Sequence, residues 1–327
     1  MTGDGMKAEQ REPEWDAIVV GGSAAGLSAA LMLGRARRRV LVVDAGSPRN
    51  RFAAHMHGVL GQEGVSPTAL VETGRREAAG YGVQFVDGTV RVAEDGVAGL
   101  RVTLESGETH ACRALVVATG ISDELPELPG LAERWGTGVL HCPYCHGWEV
   151  RDRHLGVLAT SPASLHQVQM VRQWSERVTL FAARIGEVDP QVSARLRARG
   201  VEIVNAEVVE VLGDGDQVTG VRTADGAVVE VDAIFTMGTP HPHDVFVAGL
   251  GLDRAELPFG AGSFLTVDQM GKTSHDRVWA AGNVVNPMAN VPMSIGAGAM
   301  AGSAVNGALV EADFAAAEAA QALEVRA

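Results

Sequence analysis

Short apolar runs alternate with amphipathic or glycine-rich stretches along most of the chain. Residues 17–20, 40–43 and 114–118 are unbroken runs of Ala, Ile, Leu and Val. Runs of this length, closed by glycine or polar turns, predict strands buried on both faces. An Ala/Leu-rich stretch at 27–33 separates the first two and predicts a helix, which makes a βαβ unit. The rhythm returns as a strand at 155–159, a helix at 165–174 and a strand at 178–181. Residues 84–91 and 101–104 predict two more strands, with a turn at Asp95 and Gly96. Residues 201–212 and 218–223 predict a hairpin around Gly213-Asp214-Gly215-Asp216. The stretch 229–237 leads out of this region. A strand from Val278 then ends at Gly282-Asn283, and a small-residue helix follows over 293–309. Pro126 and Pro129 interrupt the pattern where one domain crosses to the next.

The fold class is therefore α/β, with two Rossmann-like nucleotide-binding domains. The first is discontinuous, over residues 15–115 and 235–315, and the second is inserted as 116–234. The polar residues 1–14 lack a signal-peptide core and are expected to be a disordered lead-in. Residues 316–327 form an Ala- and Glu-rich tail, helical at first and then frayed. A chain of 327 residues supplies a core for each domain.

The turns carry the first chemistry. The strand 17–20 runs into Gly21-Gly22-Ser23-Ala24-Ala25-Gly26, and the second strand ends at Asp44. Glycines for the turn, a helix N-terminus aimed at a pyrophosphate and an acid for a ribose hydroxyl make a dinucleotide fingerprint. Ser23 stands where the middle glycine belongs and adds some bulk there. In the loop that follows Asp44, Arg49 and Arg51 are available to a phosphate or an adenine edge, or are solvated. Thr119-Gly120 closes the third strand and lets the chain pass close to a cofactor.

Net charge is −13 and no basic patch appears, which excludes a general nucleic-acid binder. No residue from 278 to 310 is charged, but Gly, Asn, Pro and Ser interrupt that stretch repeatedly. It reads as a buried cofactor-facing loop and helix, not a membrane span. Only three cysteines are present. Cys112 adjoins an apolar strand and reads as a structural thiol. Cys142 and Cys145 form a Cys-x-x-Cys in His141-Cys142-Pro143-Tyr144-Cys145-His146-Gly147-Trp148-Glu149. The pair suits redox chemistry or a metal. No further ligands stand at zinc-site spacing, so the reading is redox, with no metal. Tyr144 and Trp148 read as packing or pocket wall, His241 and His243 as solvated, and Met288, Met293 and Met300 as packing against cofactor and core.

The order of motifs resembles the low-molecular-weight thioredoxin reductase family of flavoproteins from Asp16 to about Asp313. Those motifs are the fingerprint at 21–26, Ala118-Thr119-Gly120, the Cys-x-x-Cys inside a second nucleotide-type domain, and Ala281-Gly282-Asn283. The cysteine motif itself is similar to the dithiol oxidase branch of holomycin and gliotoxin pathways. The resemblance implies FAD, held by Gly21, Ser23, Ala24, Gly26 and Asp44, with Ala45, Gly46, Arg49 and Val90 nearby. Thr119, Gly120, Gly282, Asn283 and Val291 would line its flavin and ribityl parts. The family usually has Asp where Asn283 stands. The resemblance also implies a homodimer, and the chain is expected in the cytoplasm.

Thioredoxin reductases also bind NADPH in the second domain. Here the corresponding turn, Ala159-Thr160-Ser161-Pro162-Ala163-Ser164, has no glycine, and no basic cluster follows Phe181. NADPH is therefore not expected. The favoured function is an FAD-dependent oxidase of a small-molecule dithiol, with O2 as acceptor and H2O2 as product. A substrate thiolate would attack Cys142, and Cys145 would leave against the flavin. His146 or His141 would handle the proton. The alternatives are an NADPH-dependent reductase of a thioredoxin-like protein and a non-catalytic flavin/thiol sensor. Substrate specificity is expected in the loops 51–64 or 239–252.

Overall fold

β1 (Trp15–Val20) is buried along its whole length. α1 (Ala24–Arg35), β2 (Val40–Asp44) and α2 (Pro67–Ala79) follow. Pro67 opens α2, and the Ser66 hydroxyl accepts from the Ala69 N–H at its start. β3 (Gln84–Asp87), β4 (Val90–Gly96), β5 (Gly99–Leu104) and β6 (Thr109–Val117) complete this part in the order β3-β2-β1-β6-β5-β4. The computed structural model describes residues 13–96, 99–258 and 262–325. Most of the expected lead-in, 1–14, and the last two residues of the tail lie outside them.

The predicted strand 84–91 is two strands. β3 pairs parallel with β2 while β4 pairs antiparallel with β5, at opposite edges of the sheet. The break is at Gly88, whose N–H donates to the Asp44 carbonyl.

β7 (Ile121–Glu124) then leaves the first sheet. The second domain holds β8 (Val139–Leu140), α3 (Pro143–His146), β9 (Leu155–Leu158), α4 (Ser164–Val171), β10 (Val178–Phe181), α5 (Pro190–Ala198) and β11 (Val201–Val204). β12 (Val208–Asp214), β13 (Gln217–Thr223) and β14 (Val228–Val229) form an antiparallel sheet, and β15 (Ala233–Thr236) returns to the parallel one, ordered β11-β10-β9-β15-β8. The predicted hairpin arm 201–212 is thus two strands in two sheets. Val208, Val211, Val218 and Val221 share a buried cluster with Leu158, Phe181 and Ile234, so the antiparallel sheet covers one face of the parallel one.

β16 (Thr239–Pro242) pairs antiparallel with β7, and this two-stranded ribbon carries both crossings between domains. β17 (Arg254–Glu256) and β18 (Ser263–Leu265) form a hairpin. β19 (Val278–Ala280) then joins β6 in the first sheet. The architecture is α/β, with the second Rossmann-like domain inserted in the first. The expected boundaries at 115/116 and 234/235 fall inside β6 and β15; the ribbon is where the chain crosses.

α6 (Val291–Glu324) is longer than the predicted 293–309 and runs through the expected tail. Asn290 caps it by accepting from the Met293 N–H at 3.1 Å. By length and composition α6 could cross a membrane. In the fold its small residues lie against α1: a Cβ on Gly298 or Gly302 would come within 2.0 Å of the Ala25 carbonyl or 2.6 Å of the Ala29 carbonyl. Farther along, Asp313 pairs with Arg38 at 2.7 Å and with Arg113 at 2.5 Å. This contact docks the second half of the discontinuous domain on the first.

Gly298→Ala should therefore separate α1 from α6 and cost about 1–3 kcal/mol, read as a lower denaturant midpoint. Gly296→Ala is the control, because a Cβ there meets nothing within 4 Å; its midpoint should hold or rise slightly.

Candidate functional site

The fingerprint turn is compressed between β1 and β6. Gly21 has φ +105°, and a Cβ there would lie 2.3 Å from the Ala118 carbonyl oxygen. A Cβ on Gly26 would lie 1.8 Å from the Gly21 carbonyl. Both positions need glycine for backbone approach. Ser23 is the N-cap of α1 but makes no side-chain cap bond. Asp44 holds the turn from the other side, accepting from the Gly22 N–H at 3.0 Å, with Arg75 3.5 Å from its second oxygen.

A cavity of about 850 Å³ starts at Ser23 and Ala24 and passes Thr119 and Gly120 to reach Cys142 and Cys145. Gly282, Asn283 and Val291 line its opposite wall. One chamber thus joins the fingerprint to the cysteine pair. Gly21, Gly26, Asp44, Ala45, Gly46 and Val90 are not in its wall. The first three shape the turn, and Ala45 and Gly46 are exposed. Val90 belongs to the apolar core of the first domain.

Arg49 also departs from expectation. It does not stand ready for a phosphate: its Nε and Nη2 donate to Asp123 at 2.7 and 2.6 Å, and its Nη1 donates to the Pro287 carbonyl. Asn283 uses its amide N–H₂ to brace the 286–289 loop, donating to the carbonyls of Asn286, Pro287 and Ala289. A carboxylate here would face three carbonyl oxygens, a physical reason for Asn in place of Asp.

The motif's own turn brings the sulfurs together. Cys142 is the N-cap of α3, and its carbonyl accepts from the N–H groups of Cys145 and His146. One helical turn then sets the two thiols side by side. Gly147 is required behind them, because a Cβ would meet the Trp174 ring at 2.7 Å. Cys142 is pulled down to about 7, first by the Cys145 S–H it accepts, with backbone N–H groups and Arg49 adding against the opposing effect of burial. Cys145 is pushed up by that shared hydrogen bond and by burial. The reduced pair therefore carries its first negative charge on Cys142. Cys112, by contrast, is fully buried and pushed up to about 12 by desolvation, as a structural thiol should be.

Five of the ten histidines line this chamber: His55, His57, His141, His146 and His166. His141 is pulled down to about 4 by burial and by Arg49, so it stays neutral. His146 is also pulled down, by burial first, although Glu149 opposes this. His241 and His243 are not simply solvated. His241 is on the ribbon and His243 directly follows it, with Nε2 atoms 2.6 Å from Glu124 and 2.9 Å from the Ser122 hydroxyl.

Of the two loops expected to set specificity, 51–64 contributes Phe52, Ala53, His55, Met56 and His57 to the wall, and 239–252 contributes none. The helix predicted at 165–174 is present as α4, but its place at the site was not predicted: Pro162 and Ala163 before it, and His166, Gln167 and Met170 on it, line the chamber. Gln167 donates to the His141 carbonyl at 2.7 Å and so steadies the start of the motif. The glycine-free turn before α4 is closed on itself: the Thr160 N–H donates to the Ser164 hydroxyl and the Thr160 hydroxyl to the Met237 carbonyl. Tyr144 forms part of the wall, and Trp148 is exposed under Arg151. Met288 and Met293 are partly exposed and line the chamber, while Met300 is exposed on α6 and packs in neither core nor chamber.

The family model for pyridine nucleotide-disulphide oxidoreductases matches residues 15–302. A thioredoxin reductase, sirT, of Leptosphaeria maculans is 32% identical over 92% of this chain and 96% of its own. The crystal structure of HlmI is similar at a TM-score of 0.90 and 42% identity, covering 95% of this chain and 97% of that one. An oxidoreductase from Agrobacterium tumefaciens follows at 0.85 and 39%, covering 90% and 98%. Membership in this family implies a flavin, and the residues present fit one. The turn glycines leave the backbone open to a pyrophosphate. The Thr119 hydroxyl is buried with no hydrogen-bond partner in the protein. The chamber lies at the upper end of the range of about 300–1,000 Å³ for small-molecule sites.

In the reduced protein, iodoacetamide should react at Cys142 with a midpoint near pH 7. Cys145→Ala removes the S–H donor and should move that midpoint up toward an ordinary thiol, as read by alkylation rate against pH.

Proposed function

We propose a reaction for this chain from one premise: it belongs to the pyridine nucleotide-disulphide oxidoreductase family. The reaction is oxidation of a small-molecule dithiol to its cyclic disulfide by a Cys142–Cys145 disulfide. FAD, when held by the fingerprint turn at Gly21, Gly26 and Asp44 and by Thr119, Gly282 and Asn283, would supply the two-electron acceptor between the cysteine pair and dioxygen, with hydrogen peroxide as product.

The observation that carries this reading is the closed turn before α4. A nicotinamide nucleotide needs open N–H groups at that helix start. Here the Thr160 N–H is taken by the Ser164 hydroxyl, the N–H groups of Ser164, Leu165 and His166 are taken by the carbonyls of Ser161, Pro162 and Ala163, and Pro162 and Ala163 line the dithiol chamber. The electron source is then whatever enters that chamber. Its wall of Phe52, Trp135, Tyr144, Met170 and Met288 suits a small apolar molecule. Arg49, its one cationic wall residue among those described, is already held by Asp123.

The chain's own residues divide the work. Cys142 receives the substrate thiolate. Its low pKa makes it a stable thiolate once the substrate has left as a disulfide. Cys145 keeps the second proton. His146, neutral and next to Cys145, is the base for the proton that the substrate thiol gives up. His141 is too strongly desolvated for that task and serves to position Cys142 through its Gln167-bound carbonyl. The exposed Met300 and Phe314 of α6 support a homodimer through that helix.

Under air, dithiothreitol should drive oxygen uptake by the purified flavoprotein, and without oxygen it should bleach the flavin. NADPH should do neither. Bleaching by NADPH as fast as by the dithiol would replace this reading with an NADPH-dependent reductase. Cys145→Ser should stop bleaching by dithiol; wild-type bleaching in that variant would rule out the cysteine pair as the route.

A further inference from the structure

The proposed exchange leaves one proton over. Two S–H bonds of the substrate break and one S–S bond forms. The enzyme S–S bond breaks, one S–H forms on Cys145, and Cys142 remains a thiolate. Two protons arrive and one is kept, so the exchange step leaves the other on a base in the chamber, from which it passes to solvent; the proton that dioxygen still needs to become hydrogen peroxide is taken up again in the later half of the cycle. His146 is the first acceptor, but its Nδ1 is buried without a hydrogen-bond partner, so it has no direct exit through that atom.

A second histidine stands behind it. His57 lies on the 51–64 loop of the first domain and lines the same chamber as Cys142, Cys145 and His146. Its Nε2 is 3.5 Å from Glu149 Oε1, and its Nδ1 is 2.7 Å from Glu63 Oε1. Glu149 sits three residues after His146 on the continuing turn of the motif, the spacing that places side chains on one side. Both Glu149 and His57 act on the charge of His146. Glu63 is fixed at its other oxygen by the Gly58 N–H at 2.9 Å, and its side chain is 64% exposed. The sequence of groups is thus His146, Glu149, His57, Glu63 and water. The charged and titratable groups facing His57 are Glu63 from its own loop and Glu149 and His146 from the motif. Arg49 faces the sulfurs and is held by Asp123, and His55 has its Nδ1 on the Gly64 carbonyl.

We propose that His57 and Glu149 form the proton exit of the redox pair, taking the proton from His146 and delivering it through Glu63 to solvent. The loop therefore supplies part of the acid–base machinery from the domain that does not carry the cysteines. The inference rests on the dithiol exchange proposed above, since that step is the source of the proton.

Two reductants isolate it. Dithiothreitol reduces the enzyme disulfide as a thiol and brings a proton to be removed. Tris(2-carboxyethyl)phosphine attacks sulfur through phosphorus; water supplies the oxygen of its oxide and the two thiol protons, and no thiol has to be deprotonated. In the FAD-loaded protein, without oxygen, flavin bleaching is followed with each reductant across pH 6 to 9. His57→Gln and Glu149→Gln should each slow bleaching by dithiothreitol by about tenfold near pH 7. The gap should close as pH rises and the thiol ionises unaided, and bleaching by the phosphine should match wild type. Equal dithiothreitol rates in variants and wild type across that range overturn the exit, and so does equal slowing with both reductants, which marks a structural role. If NADPH proves to be the physiological donor, the proposed reaction fails. Dithiothreitol still delivers its proton to the same cysteines, so the roles of His57 and Glu149 are read separately from that failure.

Discussion

The bidentate pair between Arg49 and Asp123 ties the architecture to the chemistry. Arg49 comes from the loop after β2, Asp123 from the first strand of the crossing ribbon, and the Pro287 carbonyl from the loop before α6. Three remote parts of the chain meet at one guanidinium. Asp123 is almost wholly buried and Arg49 largely so. An ion pair taken this far from water depends on full hydrogen bonding, and loss of either partner strands a buried charge. The same cation bears on both sulfurs and on His141, favouring thiolate at the first and a neutral ring at the second. One contact thus links domain placement to the charge of the sulfurs, where Arg49 adds to the larger effect of the hydrogen bond they share.

Around that contact the site is asymmetric. The motif turn stacks two chemically identical thiols, and the environment separates them. Cys142 gathers hydrogen bonds and becomes the anion, while Cys145 keeps the proton. The two flanking histidines are separated in the same way. His141 sinks into a desolvated pocket with its carbonyl on Gln167, and His146 keeps a neighbouring carboxylate in Glu149. Equivalent residues in sequence thus acquire different roles from hydrogen bonding, burial and neighbouring charge.

Much of this was legible in the sequence because it rests on local rules. The fingerprint glycines, the buried parallel strands and the cysteine motif depend on near neighbours and on period, and the α/β architecture with its inserted domain follows from their order. The missing glycines before α4 were readable for the same reason. What the sequence concealed depends on contacts far apart in the chain. Arg49 looked like a phosphate ligand because nothing nearby reveals Asp123, which lies 74 residues away. The strands 84–91 and 201–212 read as single runs because apolar composition continues across a change of partner. His57 and Glu149 meet only through the packing of one domain on the other. The helix α6 outruns its apolar pattern because its outer half is docked by an ion pair with Arg38 and Arg113, not by an apolar face.

The closed turn before α4 has a bearing on how such a protein can diversify. Its backbone and hydroxyl groups satisfy one another, so the helix start holds its shape without a ligand. The side chains it presents to the chamber, those of Pro162, Ala163 and His166, take no part in those bonds, and neither does that of Met170 one turn later. Exchanging them alters the shape offered to an incoming molecule and leaves the redox pair and its scaffold intact. A surface that no longer recognises a fixed nucleotide is released from a fixed sequence. It becomes the part of the fold on which selection can act to accommodate new compounds.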